Sequence, residues 1–136
     1  MKRGRERQDH GQVDKPRGIL DELARSGDVR QRRTAVLATQ HFLRRGEVGD
    51  TFRIAGALLD DDHDLIDKAA GGVLREAGKH DRARLLQFLE DNAAAMPRTM
   101  LRYACEHLDQ KERVDQKERA HYRAVTRSAA TDEARR

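Results

Sequence analysis

Residues 64–78 read DLIDKAAGGVLREAG. Leu65, Ile66, Ala69, Ala70, Val73, Leu74 and Ala77 recur there at spacings of three and four, which lays them along one stripe of a helix. A stripe that wide needs a partner on its inner side. A shift back by 31 residues puts Phe42, Leu43 and Arg44 under Val73, Leu74 and Arg75, Ala38 under Ala69, and Asp50 under Asp81. Two copies of one helix-turn-helix unit account for this economically, and units of about 30 to 45 residues predict a stacked helical solenoid. The expected fold is all-α, with about six to seven helices.

At 136 residues the chain holds one domain at most. Apolar residues make up 37% and there is no Trp, so the core must come from Leu, Ala and Val on narrow stripes. The 28 basic and 24 acidic side chains leave a net charge of +4, which by itself does not mark a nucleic-acid binder. Where the charge sits matters more. The single Cys105 excludes a disulfide framework and a multi-cysteine metal site, and it points to a reducing cytoplasm. Nothing apolar runs long enough for a signal peptide or a membrane span.

Taken in order, residues 1–13 carry too little apolar surface to order themselves and are expected to form a flexible basic arm. The helical domain is expected over 14–126 and a disordered tail over 127–136. Asp14 is the expected cap of a short helix with Ile19, Leu20, Leu23 and Ala24 as its apolar positions, stopping near Ser26 and Gly27. Asp28 caps the next, which runs from Val29 to about Arg45 and ends at Gly46. This helix carries Arg30, Arg32, Arg33, Arg44 and Arg45 without an acid among them. The helix dipole accounts for Arg44 and Arg45 near the C-terminus, but it disfavours Arg30, Arg32 and Arg33 at the other end.

Asp50 is the expected cap of a helix through Leu59, and Asp81 opens a helix with Leu85, Leu86, Phe88 and Leu89 as its apolar positions. Asp60 to Asp64, DDDHD, lacks the glycine and later Glu of a calcium loop and reads instead as first-turn carboxylates on the helix that follows. Met96-Pro97 marks the start of a helix whose stripe is Leu101, Ala104, Cys105 and Leu108, so Cys105 reads as a core residue. From Asp109 the repeated word DQKER has high helix propensity and little to bury, as suits a polar end cap. No phosphate-binding glycine loop, HExxH or GxSxG is present, and no cofactor or metal is expected. Gly71-Gly72, in mid-helix, reads as close packing or as a tolerated cost of about 1 kcal/mol each.

The words RRTAVLATQHFLRRGE, DTFRIAGALLDD, HDLIDKAAGGVLREAGKHD and MPRTMLRYACEHLD resemble the C-terminal half of bacterial DNA alkylation repair proteins, a glycosylase family built from HEAT-like repeats. The similarity runs from about Lys15 to about Arg113. It implies a HEAT-like α-α superhelix and double-stranded, alkylated DNA as partner. Arg32 and Arg33 match the paired arginines at a helix start of the family, and Arg75 matches an arginine of its LRE word on the same DNA-facing side. Lys68 and Arg102 lie in words that also match. These five, Arg32, Arg33, Lys68, Arg75 and Arg102, are the expected DNA-binding residues, because guanidinium and ammonium groups projected from successive helices suit phosphate positioning.

Two departures bear on catalysis. Gly72 stands where the family usually has a Trp that lines the face holding the damaged nucleotide, and the family's catalytic Asp lies in a WDxxD-like word that this chain lacks. The resemblance therefore implies a truncated DNA-binding module in which base excision is slow or absent, and no catalytic residue is assigned. Two alternatives stand beside it: an active glycosylase with Glu76 or Asp67 as substitute acid, and a repeat scaffold that binds protein. A solenoid without its first repeats would expose an apolar face, so self-association through the N-terminal repeat is expected.

Overall fold

The computed structural model describes residues 15–109 and 112. The expected basic arm, most of the DQKER helix and the tail lie outside these residues. Among them the chain is all-α, with six helices and no strand: α1 (Lys15–Ala24), α2 (Val29–Leu43), α3 (Gly49–Ala57), α4 (Asp64–His80), α5 (Arg82–Asn92) and α6 (Arg98–Ala104).

Local chemistry sets most of the ends. Asp28 accepts a hydrogen bond from the Arg30 amide at 2.9 Å and starts α2. At the other end Gly46 takes φ +79°, its N–H donates to the Leu43 carbonyl at 2.8 Å, and the Glu47 N–H reaches back to Phe42 at 2.9 Å. That is a Schellman stop, available because glycine has no Cβ to oppose a positive φ. His63 caps α4, its Nδ1 accepting from the Leu65 amide at 3.2 Å, and Asp81 caps α5 by accepting from the Arg84 amide at 3.0 Å.

Asp50 departs from its expected role. Val48 is the N-cap of α3, and Asp50 lies inside the first turn, 3% exposed, where Oδ1 accepts from Arg53 Nη1 at 2.8 Å and Oδ2 stands 3.7 Å from Arg17 Nε. Two arginines draw the carboxylate inward, so it neutralises buried charge instead of capping backbone.

Helices α2, α4 and α6 run side by side with α4 in the centre, while α1 and α3 pack together and cover α2. Helix α5 packs on α4 and reaches α3 through Phe88, whose ring lies 5.5 Å from that of Phe52. Val36, Ile54, Ile66, Val73, Leu74, Leu89 and Met100 are fully buried between these layers. Each such side chain contributes about 1.5–3 kcal/mol by leaving water.

Two residues of the expected stripes lie outside this core: Ile19 is 53% and Leu65 49% exposed. Among the described side chains of α1, Leu20 and Ala24 are the buried ones, one turn apart, and Ile19 falls beside that line. The inward line of α4 is Ile66, Ala70, Val73, Leu74 and Ala77, and Leu65 precedes it by one residue, about 100° around the helix.

Ion pairs cross from unit to unit. Arg17 pairs with Glu47, Arg53 with Asp21, Arg32 with Asp61, Arg75 with Glu106 and Arg82 with Glu112, at separations of 30, 32, 29, 31 and 30 residues. Arg17, Arg32, Arg75 and Arg82 thus find their acid in the following unit and Arg53 finds its acid in the preceding one, at separations close to the 31-residue sequence period.

Candidate nucleic-acid interface

Helix α4 carries the adjacent glycines, and its two flanks treat them differently. At Gly71 an added Cβ would lie 2.6 Å from the Met100 carbonyl oxygen and 2.6 Å from Tyr103 Cβ, so α6 closes on α4 through the missing side chain. At Gly72 an added Cβ would meet nothing within 4 Å. Gly72 instead floors a furrow of about 330 Å³ between α2 and α4. Its apolar walls are Leu37, Leu43, Ala69 and Val73, and Gln40 adds an amide. Arg44, Lys68, Arg75 and His80 bring basic groups to it, and Glu76 is the one carboxylate among the described residues that line it.

The structure brings Lys68 and Arg75 together on this furrow, and Arg102 of α6 is close enough for its charge to be felt at Lys68. The Lys68 ammonium is exposed and 3.0 Å from Asp64, whose hydrogen bond holds its pKa above the ordinary value. Arg75 spans both flanks, since it lines the furrow while Nη1 donates to Glu106 beyond α6. Its Nε is shielded from solvent, has no hydrogen-bond partner and lies 3.5 Å from Glu76 Oε2. Arg102 is exposed, its guanidinium 5.7 Å from the Tyr103 ring centre.

The paired arginines of α2 separate in role. Arg33 is exposed at the start of the second turn and forms no ion pair among the described residues. Arg32 points elsewhere: Nε donates to Asp61 at 2.7 Å and Nη1 to the Ser26 carbonyl at 3.0 Å, which ties the start of α2 to the loop after α3. Neither lines the furrow.

Of the two acids considered as substitutes, only Glu76 faces the furrow, held by Arg75 and by Lys79 at 3.3 Å. Asp67 is 7% exposed, one turn before Gly71 on the stripe turned towards α6, and its Oδ1 has no hydrogen-bond partner. Burial first, and then the charges of Asp61, Asp64 and Asp62, push its pKa up to about 6. No group of three or more His, Cys, Asp or Glu among the described residues is arranged to hold a metal ion. No described helix is long and apolar enough to cross a membrane.

A protein-family model described as DNA alkylation repair enzyme matches residues 7–108 of the 136. The chain belongs to the DNA alkylation repair enzyme family. No curated protein and no solved structure matches it.

Within this DNA alkylation repair family member, the helix dipole had accounted for Arg44 without giving it a site. Its place on the furrow beside Arg75 follows from the 31-residue register, which already set one under the other. Gln40 and His80 carried no comparable signal, since a lone amide and a lone imidazole on a helix read as solvated surface.

Proposed function

We propose that this family member binds double-stranded, alkylated DNA through the exposed side of α2, α4 and α6, with little or no base excision. The observation that carries the reading is the basic furrow, where Arg44, Lys68, Arg75 and His80 converge and Arg102 stands next to Lys68. Arg33 extends the same charge along α2. Arg32 supports it as an anchor for the helix start, because its guanidinium is held by Asp61 and Ser26. Phosphate contacts of this kind position a duplex without reading its sequence. Ile19, half exposed on α1, supports self-association through that helix, which sedimentation across a concentration series checks.

The test is affinity for a methylated duplex across a salt series. Each phosphate contact steepens the salt dependence by about 0.9 in log–log slope. Arg33→Ala, Lys68→Ala, Arg75→Ala and Arg102→Ala should each weaken binding and flatten that slope. Affinity indifferent to all four sinks the reading.

A second reading, active base release, draws on Glu76 in the furrow. A fixed carboxylate stabilises the positive charge that develops on a sugar losing its base. Arg75 and Lys79 already neutralise much of Glu76, so little excision is expected. Release of methylated base that Glu76→Gln abolishes would establish the second reading over the first.

A further inference from the structure

We infer that the seam between α4 and α6 is a pH-sensitive latch: α6 lies closed on α4 while the Asp67 carboxyl keeps its proton and comes away when that proton is lost. Two features of the fold carry this. Asp67 is 7% exposed on the stripe turned towards α6, and its Oδ1 is shut off from solvent without a hydrogen-bond partner. A protonated carboxyl tolerates such a place, but an ionised one needs water or a donor. One turn on, an added Cβ at Gly71 would lie 2.6 Å from the Met100 carbonyl oxygen, so along this seam the helices leave no room for water. The second feature is how little else holds α6. It is seven residues long, and α4 is the described helix on which it chiefly rests. A helix that short does not persist without packing, so an undocked α6 unwinds while the stacked units before it stay in place.

The groups around Asp67 offer it little counter-charge. Burial is the largest influence on it, followed by Asp61, Asp64 and Asp62, and together they push its pKa up to about 6, while His63 pulls the other way. The nearby cations are taken, Arg32 of α2 by Asp61 and Lys68 by Asp64. On α3 the buried acid is Asp50, held by Arg53 and Arg17. From α6 come Tyr103, whose Cβ faces Gly71, and Arg102, whose charge is felt at Lys68. Arg98 at the start of α6, and Glu90 and Asp91 near the end of α5, are exposed, where solvent screens them. Once the seam opens, water reaches the carboxylate and its pKa returns to the ordinary 3.8. The closed seam is therefore favoured in full below about pH 4 and loses that advantage as pH rises through about 6, by about a hundredfold in the ratio of closed to open. Opening takes Arg102 from beside Lys68 and Glu106, in the turn after α6, from Arg75. Where the DNA reading holds, the latch changes which cations face the duplex, but it stands without that reading.

The experiment follows backbone hydrogen exchange of the full chain, without DNA, at about pH 4 and about pH 8, with the intrinsic pH dependence of exchange divided out. The reporters are the Leu101 and Cys105 amides, which donate to the Pro97 and Leu101 carbonyls at 3.0 Å. Their protection should fall by about fiftyfold at the higher pH, while that of Val36 and Thr39 in α2 stays level. In Asp67→Asn, which keeps the shape and cannot ionise, the α6 amides should stay protected at both. The Asp67 carboxyl carbon signal of the native protein should titrate near pH 6. Protection in α6 that ignores pH, or that falls equally in Asp67→Asn, overturns the latch. A loss shared equally by α2 also overturns it, since the whole fold then weakens and not the seam. A carboxyl that titrates in the ordinary range removes its trigger and overturns it as well.

Discussion

Along one flank α4 meets α6 with Gly71 set against the Met100 carbonyl; along the other it packs on α2 but leaves a furrow, floored by Gly72, at the outer edge of the junction. Neighbouring residues of one type in one helix serve opposite ends, a closed seam and an open one. In a helix, consecutive positions differ by about 100° around the axis, which is enough to face different partners. The lesson is that a glycine's meaning here lies in what approaches it from outside, and its own backbone is ordinary helix in both cases.

The sharpest way to break the comparison is Gly71→Ala. Two contacts at 2.6 Å, one of them to backbone, force α6 to shift, and overpacking of this kind costs about 1–3 kcal/mol. Denaturant unfolding should show a loss at the upper end of that range. Asp67 lies on the same closed seam, and its effect depends on pH. Its folded pKa of about 6 exceeds its ordinary 3.8, so the unfolded chain ionises first as pH rises. The folded state is therefore favoured below about pH 4, and that advantage is lost as pH rises through about 6. Asp67→Asn should stabilise by about 2 kcal/mol at pH 8 and change little at pH 4, read from unfolding curves at the two values. An equal effect at both would mean that the carboxylate is not strained by its burial.

On the open seam the sign reverses. Gly72→Ala adds helix propensity without a clash and should stabilise by about 1 kcal/mol. A loss instead would mean that α2 closes on α4 in solution. The smallest effect concerns Arg75, which touches both seams. Glu106→Gln removes its partner across the closed seam, and exposed pairs contribute about 0–1 kcal/mol. Stability should hardly move, while the guanidinium, left with Glu76 as its remaining acid, should raise duplex affinity by about twofold in low salt.

The helices were legible in the sequence wherever the signal was local. Gly46 stops α2 and Asp81 caps α5 as read, and the stripes of α4 and α6 supply the core with Cys105 inside it. Asp50 misled because a cap and a buried counter-ion look alike until Arg17 and Arg53 arrive from elsewhere. Ile19 and Leu65 misled because a stripe predicts only its centre, and the packing of neighbours trims its edges. For the candidate interface, Lys68, Arg75 and Arg102 came from resemblance; Lys68 and Arg75 share a face of α4 by their seven-residue spacing, while the approach of Arg102 from α6 is a tertiary fact. No reading of Gly71-Gly72 could tell the two apart, since the Met100 carbonyl lies 29 residues downstream.

The ion pairs that cross from unit to unit have a consequence for how the chain reaches this state. Units of similar size and similar apolar faces can dock on the wrong neighbour while folding, and such misassembly is a known hazard of repeat architectures. Arg32 requires an acid 29 residues on, Arg75 one 31 residues on, and Arg53 one 32 residues before it. A unit that docks one place out of order leaves guanidinium groups without their acids, and some of them facing one another. Each misplaced unit then forfeits its pairs, at up to about 1 kcal/mol apiece, so the charges favour the native order of units over its alternatives by a small margin that adds along the stack.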